Sequence, residues 1–170
     1  LTLACVAAAL MLGAAWIPAQ AQNATWQGGA SSDWFDPSNW TPGIPGGTAT
    51  ASFGIASTNF VDLLSPIFPL TTSTSIGAML FTEAGYVVTV CSCVNFNING
   101  DGVLSSLANK PFFDVSGKLI FSNASSAGFA DILISGETVF RNSATAANAT
   151  ITNLSILKFH DQSNAGQSTI

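Results

Sequence analysis

Positive charge is scarce in this chain. Only Lys110, Lys118, Arg141 and Lys158 are basic among 170 residues, and no two are adjacent. Proteins that grip polyanions release counterions by facing phosphates with clustered cations, so this pattern argues against nucleic acid as a partner. Nine acidic residues set the net charge at -5. His160 is the single histidine, so Ser-His-Asp chemistry would rest on one residue, and no Gly-x-Ser-x-Gly elbow occurs to support it. Low charge does not mean disorder here. The chain is 48% hydrophobic and 8% charged, with enough Phe, Ile, Val and Thr to supply a sizeable core, whereas disordered chains lack those residues and are rich in charge.

The long apolar run lies at the start. Residues 3–17 are apolar and rich in Ala and Leu, and Ala19-Gln20-Ala21 follows as a small-x-small signature before Gln22. This reads as a secretory signal over residues 1–21, cleaved after Ala21. The run falls short of the roughly 20 residues that span a bilayer, which disfavours a membrane anchor. No Lys or Arg precedes it and residue 1 is Leu, which places the true start upstream or at an alternative start codon. Cys5 sits ahead of the run and not behind it, so it does not read as a lipoprotein acylation site. Beyond the signal, only Cys91 and Cys93 remain. One residue apart in a strand, both would point to the same face, a poor geometry for a disulfide. They read as small buried hydrophobes. A metal site would need more ligands than the segment offers, and no cofactor is implied.

Internal repetition is the strongest signal. From Phe121 the chain reads FSNASSAGFADILISGETV, from Phe140 FRNSATAANATITNLSILK, and from Phe159 FHDQSNAGQSTI, each start 19 residues after the last. Stacked in this way, the columns keep their chemistry: Phe121, Phe140 and Phe159; Asn123, Asn142 and Asp161; Ala127, Ala146 and Ala165; Ile132, Ile151 and Ile170; Leu119, Thr138 and Leu157. Apolar positions alternate with period 2, as at Ala130, Ile132 and Ile134, which predicts two short strands per repeat joined by Asn/Ser/Gly turns. So short a unit cannot bury its own apolar face and must stack on its neighbours. The expected fold is all-β, a parallel β-helix, with Phe above Phe at about 4.8 Å and a ladder of side-chain hydrogen bonds through the Asn/Asp column. An antiparallel sandwich also uses short strands but needs no fixed repeat. The expected organisation is a Trp-rich N-terminal cap over 22–48, irregular coils over 49–117 and regular 19-residue coils over 118–170, broken off mid-repeat. Within the irregular part, Asn99-Gly100 and Asp101-Gly102 mark turns. They resemble half of a calcium loop but lack a downstream acidic ligand, so no metal ligand is assigned.

Three of four tryptophans, Trp26, Trp34 and Trp40, fall between Thr25 and Pro45 among Gly28, Gly29, Asp33, Asp36 and Asn39. Large aromatics suit a cap that covers the first coil of a solenoid. The alternative is a sugar-stacking platform, in which the three indoles would face carbohydrate. Asp33 and Asp36 could pair as carboxylates, though no third group supports them as acid and base.

Trp26-x-Gly-Gly-x-x-x-Asp33-Trp34 followed by Asn39-Trp40, then Phe-x-Asn/Asp-x-Ser-x-Ala units, resembles the passenger regions of Gram-negative autotransporters with autotransporter-associated β-strand repeats. The resemblance spans residues 26–170. It implies a right-handed β-helix, export across the inner membrane, display at the cell surface, and an outer-membrane translocator barrel as part of a longer chain. The functional expectation is a non-enzymatic structural or adhesive module without catalytic residues, whose partners would be surface glycans or other cell-surface polymers. A carbohydrate-binding or polysaccharide-cleaving β-helix is the alternative. Such enzymes need clustered carboxylates, Lys or Arg on one face, where this chain carries Ser, Thr, Asn and Ala.

Overall fold

The computed structural model describes residues 21–64 and 71–170. The expected signal segment thus lies, but for Ala21, outside the described residues. The described chain forms thirteen strands: β1 (Ala24–Trp26), β2 (Trp40–Thr41), β3 (Thr50–Phe53), β4 (Phe60–Leu63), β5 (Thr72–Phe81), β6 (Val87–Val90), β7 (Val94–Leu104), β8 (Phe112–Val115), β9 (Lys118–Phe121), β10 (Asp131–Ile134), β11 (Glu137–Phe140), β12 (Thr150–Asn153) and β13 (Ile156–Phe159). One sheet orders them β13-β11-β9-β7-β5-β3-β1-β2 and the other β12-β10-β8-β6-β4. From β3 onward alternate strands go to alternate sheets, so the chain winds as a coil. Each strand lies parallel to the one a coil earlier, and the fold is a β-solenoid.

The 19-residue period becomes register. Lys118 stands beside Glu137 and Glu137 beside Ile156, while Ile132 stands beside Ile151. Alternation then sends Leu119, Phe121, Thr138 and Phe140 inward together with Ile132, Ile134 and Ile151, all buried. Phe121 and Phe140 stack with ring centroids 4.8 Å apart and planes 5° from parallel, and Phe140 and Phe159 at 5.0 Å and 11°. That spacing is the distance between hydrogen-bonded strands. Ile170 departs from its column. Ile132 and Ile151 are buried but Ile170 is 62% exposed, because beyond the Thr150–Thr169 bridge no further described coil packs over its side chain.

A third side completes each coil. Gly102, Ser126, Thr145 and Asn164 form a line of single parallel bridges. The Ala127 amide donates to the Thr145 carbonyl at 3.0 Å, and the Ala146 amide to that of Asn164 at 3.0 Å. The segment expected to be only a turn is therefore also a minimal rung, with Ala127 and Ala146 buried beneath it. Upstream this side broadens into strand. In β5 and β7, residues 72–76 pair with 94–98, and residues 78–80 pair with 102–104 after a register shift between Ile76 and Ala78. The expected turns at Asn99-Gly100 and Asp101-Gly102 consequently lie within β7. The chain rounds its corner by a bulge without leaving the ladder, and glycine is what permits it: Gly102 has φ +92°, and a Cβ there would meet the Ser126 carbonyl oxygen at 2.1 Å.

The coils before β9 vary in length. Thr50 pairs with Ala78, Phe60 with Val87 and Val87 with Phe112, before Phe112 pairs with Asp131 at the regular offset of 19. At the first end, β2 returns antiparallel to β1, pairing Trp26 with Trp40. Antiparallel pairing there covers the sheet edge that a parallel coil would leave open.

Candidate functional site

Trp26, Trp34 and Trp40 face inward. Trp26 and Trp34 are completely buried and Trp40 is 4% exposed. Trp40 meets both others edge to face, at 5.0 Å from Trp26 and 4.7 Å from Trp34, and Trp34 touches Phe96. The Trp26 Nε1 donates to the Thr58 carbonyl at 2.9 Å and the Trp40 Nε1 to that of Trp34 at 2.8 Å. No indole face is open, so these residues cannot stack on a sugar ring. The loop around them is pinned by Asn39, itself fully buried. Its Oδ1 accepts from the amides of Ala30 and Ser31, and its Nδ2 donates to the Ser31 hydroxyl and the Asp33 carbonyl. Gly28, at φ +57°, leaves room for this arrangement, since a Cβ would lie 2.7 Å from the Trp26 Nε1.

Asp33 and Asp36 serve the backbone. Asp33 Oδ1 accepts from the Phe35 amide at 2.9 Å. Asp36 caps the short 3-10 turn Pro37–Asn39 by accepting from the Ser38 amide. The Ser38 hydroxyl also donates to Asp36, and this, followed by the amide bond, holds its carboxyl below the usual aspartate value. Both groups are thus carboxylate acceptors for local turns, a role neither composition nor spacing revealed.

A concave surface lies on the outward face of β5, β7 and β9. Ser73, Asn95 and Lys118 form one outward column, and Ser75, Asn97 and Ile120 the next. With Thr74 and Gly47 they line a shallow groove of about 550 Å³. Alternation explains it: the intervening Val94, Phe96, Ile98 and Leu119 are buried, leaving amides and hydroxyls outside. The Asn95 Nδ2 donates to the Ser73 hydroxyl at 3.4 Å, and the Ser122 hydroxyl donates to Asn97 Oδ1 at 2.8 Å. Below the groove, Lys118 and Lys158 close on Glu137 from two coils, at 2.9 and 2.8 Å. The hydrogen bond from Lys158, then that from Lys118, lowers the Glu137 carboxyl from its ordinary value.

A smaller groove of about 400 Å³ at the capped end brings Phe60 and Asp62 beside the Gly28–Ser32 loop. Phe60 is 58% exposed, and Asp62 accepts from the Ser32 hydroxyl at 2.6 Å. Neither residue was singled out from sequence, although the alternation in Phe60-Val61-Asp62-Leu63 carries the signal. His160, immediately after β13, is exposed. Among the described residues no group of three or more His, Cys, Asp or Glu is placed to hold a metal ion, and no helix is long and apolar enough to cross a membrane.

The Asn/Asp column forms a ladder of a kind different from the one expected. Asn123, Asn142 and Asp161 all adopt left-handed backbone, with φ of 59°, 60° and 59°. The Asn123 amide donates to Asn142 Oδ1 at 3.1 Å, and the Asn142 amide to Asp161 Oδ2 at 2.9 Å. Each rung is backbone to side chain, and the residue type is set by the conformation, because Asn and Asp tolerate left-handed φ better than other side chains. Cys91 and Cys93 lie in the corner between β6 and β7, not in a strand, and both are half-buried against the core. Comparison of the chain with protein-family models, with curated proteins and with solved structures finds no match.

Proposed function

We propose that this chain is a non-enzymatic, exported β-solenoid passenger module that serves a structural or adhesive role at the bacterial cell surface, as its resemblance to autotransporter passengers suggests. The observation that carries the proposal is the groove over β5, β7 and β9. Its lining is Ser, Thr and Asn with one lysine, one isoleucine and one glycine, a surface suited to weak hydrogen bonds and apolar contact with an uncharged or weakly acidic polymer such as a surface glycan. Side chains there stand at strand spacing along the coil axis, so an extended polymer would meet the hydroxyls of Ser73 and Ser75 and then the amides of Asn95 and Asn97 on successive coils. Repetition raises avidity without any strong single contact. Catalysis needs acids, bases or metal ligands preorganised at fixed separations, and the carboxylates nearest the tryptophans are occupied as turn acceptors.

The test is co-sedimentation of the protein with insoluble polysaccharides and with whole cells, run beside an Asn95→Ala/Asn97→Ala variant. Weak, saturable binding that falls severalfold in the variant supports the reading, and binding unchanged by the variant refutes the assignment of this face. Release of new reducing ends or unsaturated sugars, abolished by Asp62→Asn, would replace it with an enzymatic reading centred on the groove at Phe60.

A further inference from the structure

The corner between β6 and β7 differs from the corners stacked beneath it. Two residues, Ser116 and Gly117, join β8 to β9, and two, Ser135 and Gly136, join β10 to β11. These corners are tight. A Cβ on Gly136 would meet the Gly117 carbonyl oxygen at 2.2 Å, and the serines donate back to the previous coil, Ser116 to the Val90 carbonyl at 3.2 Å and Ser135 to that of Val115 at 3.3 Å. The earlier corner has three residues, Cys91-Ser92-Cys93. In it the two sulfur atoms approach to 2.6 Å, closer than non-bonded sulfurs sit and a small side-chain rotation from the bond length of about 2.05 Å.

The backbone holds both cysteines in place from three directions. The Cys91 amide donates to the Leu63 carbonyl at 3.3 Å, the Cys91 carbonyl accepts from Val94 at 2.9 Å, and the Cys93 carbonyl accepts from Thr72 at 2.9 Å. A turn that is fixed by the coil before it and by its own closing bond therefore presents two thiols to each other before any oxidant arrives. Spacing suggested the opposite, because the rule that residues two apart share a face without converging applies to straight strand.

We propose that Cys91 and Cys93 form a reversible disulfide staple across this wide corner. The inference rests on the corner geometry and not on the adhesive reading. The oxidant is a disulfide of the glutathione or dithiol-oxidase class. One thiolate attacks it, forming a mixed disulfide and releasing one thiol; the second thiolate displaces the other half. Two protons and two electrons leave the cysteines, and the oxidant becomes two thiols. Half-burial lets a small disulfide reach the pair, whereas the regular corners below need no such clamp.

The experiment incubates the reduced full-length chain with oxidised glutathione, quenches with acid, alkylates with iodoacetamide and maps the peptide containing residues 91–93 by mass, which leaves Cys5 out of the reading. The expected peptide has lost two hydrogens and carries neither alkyl group nor glutathione, while Cys91→Ser and Cys93→Ser each leave the remaining sulfur alkylated or glutathionylated. In guanidinium the same closure should need at least about tenfold more oxidised glutathione, since the fold supplies the proximity. Alkylation at both sulfurs, glutathione on both, or protection that a chelator removes would each overturn the proposal. Closure equally easy in the unfolded chain would overturn it too.

Discussion

The coils from β9 onward and those before it solve one problem in two ways. In the later coils the large inward rings rest on their own kind, as Phe140 does between Phe121 and Phe159, so the core fits largely by repetition. In the earlier coils unlike residues must interlock. Trp34 meets Trp40 edge to face, Phe53 stacks on Phe81 and crosses Tyr86, and Trp34 reaches Phe96. Repetition needs one good shape used many times, whereas the capped end needs large aromatics because its coils change length and leave uneven gaps to fill.

The largest expected effect breaks the repetition outright. Phe140→Asp puts an unpaired charge and a void between two stacked rings and should destabilise the protein by several kcal/mol; a denaturant melt indistinguishable from the parent would show that the stack contributes little. Alkali should single out the earlier coils. Tyr86 is buried, its hydroxyl donates to the Gly54 carbonyl at 2.6 Å, and burial raises its pKa from 10.0 to about 12. A raised folded value favours the protonated form, so this stability is intact below pH 10 and is lost as pH climbs toward 12, on the order of 1–2 kcal/mol. Tyr86→Phe should flatten that step in a pH-dependent melt.

Smaller effects sharpen the rule for the regular coils. Asn142→Ala forces left-handed backbone on alanine and leaves the Asn123 amide without its acceptor, for a loss of about 1–2 kcal/mol. Asn142→Gly relieves the conformation but not the hydrogen bond, so chemical melts of the two should separate the contributions, with Gly the milder. Thr138 occupies a leucine column, fully buried, and its hydroxyl has no hydrogen-bond partner. Thr138→Val should therefore stabilise by about 1 kcal/mol, visible as a higher melting temperature. The smallest effect is acidic. The lowered Glu137 carboxyl contributes stability above its unfolded value and loses it as pH falls through the lower folded one. The clamp is exposed to solvent, so the loss below about pH 4 should be slight, and Glu137→Gln should remove it from an acid titration of stability.

What could be read in the sequence followed from side-chain identity at a fixed spacing. The Phe column and the period-2 alternation gave the parallel coils and the two strands per repeat, since apolar side chains are the signal that stacking writes into a sequence. The third side was hidden because its rungs at Ser126, Thr145 and Asn164 are made by backbone groups, which no side-chain pattern records. Asn99-Gly100 and Asp101-Gly102 looked like turns because glycine marks both turns and bulges, and only pairing with β5 distinguishes them. The tryptophans were legible as large aromatics, but their burial depended on the antiparallel return of β2. Each groove drew on residues of more than one coil, a neighbourhood that exists only once coil lengths are known.

The constant offset of 19 between β8 and β10, β9 and β11, β10 and β12, and β11 and β13 makes the length of the molecule an adjustable quantity. Each regular coil touches only the coils before and after it, so duplicating one whole unit lengthens the rod by about one strand spacing, near 4.8 Å, and leaves every other contact as it was. Within the regular run, gaining or losing two residues in one unit would put Phe beside Asn. Such a molecule can be lengthened like a ruler, in fixed graduations, by recombination between its own repeats.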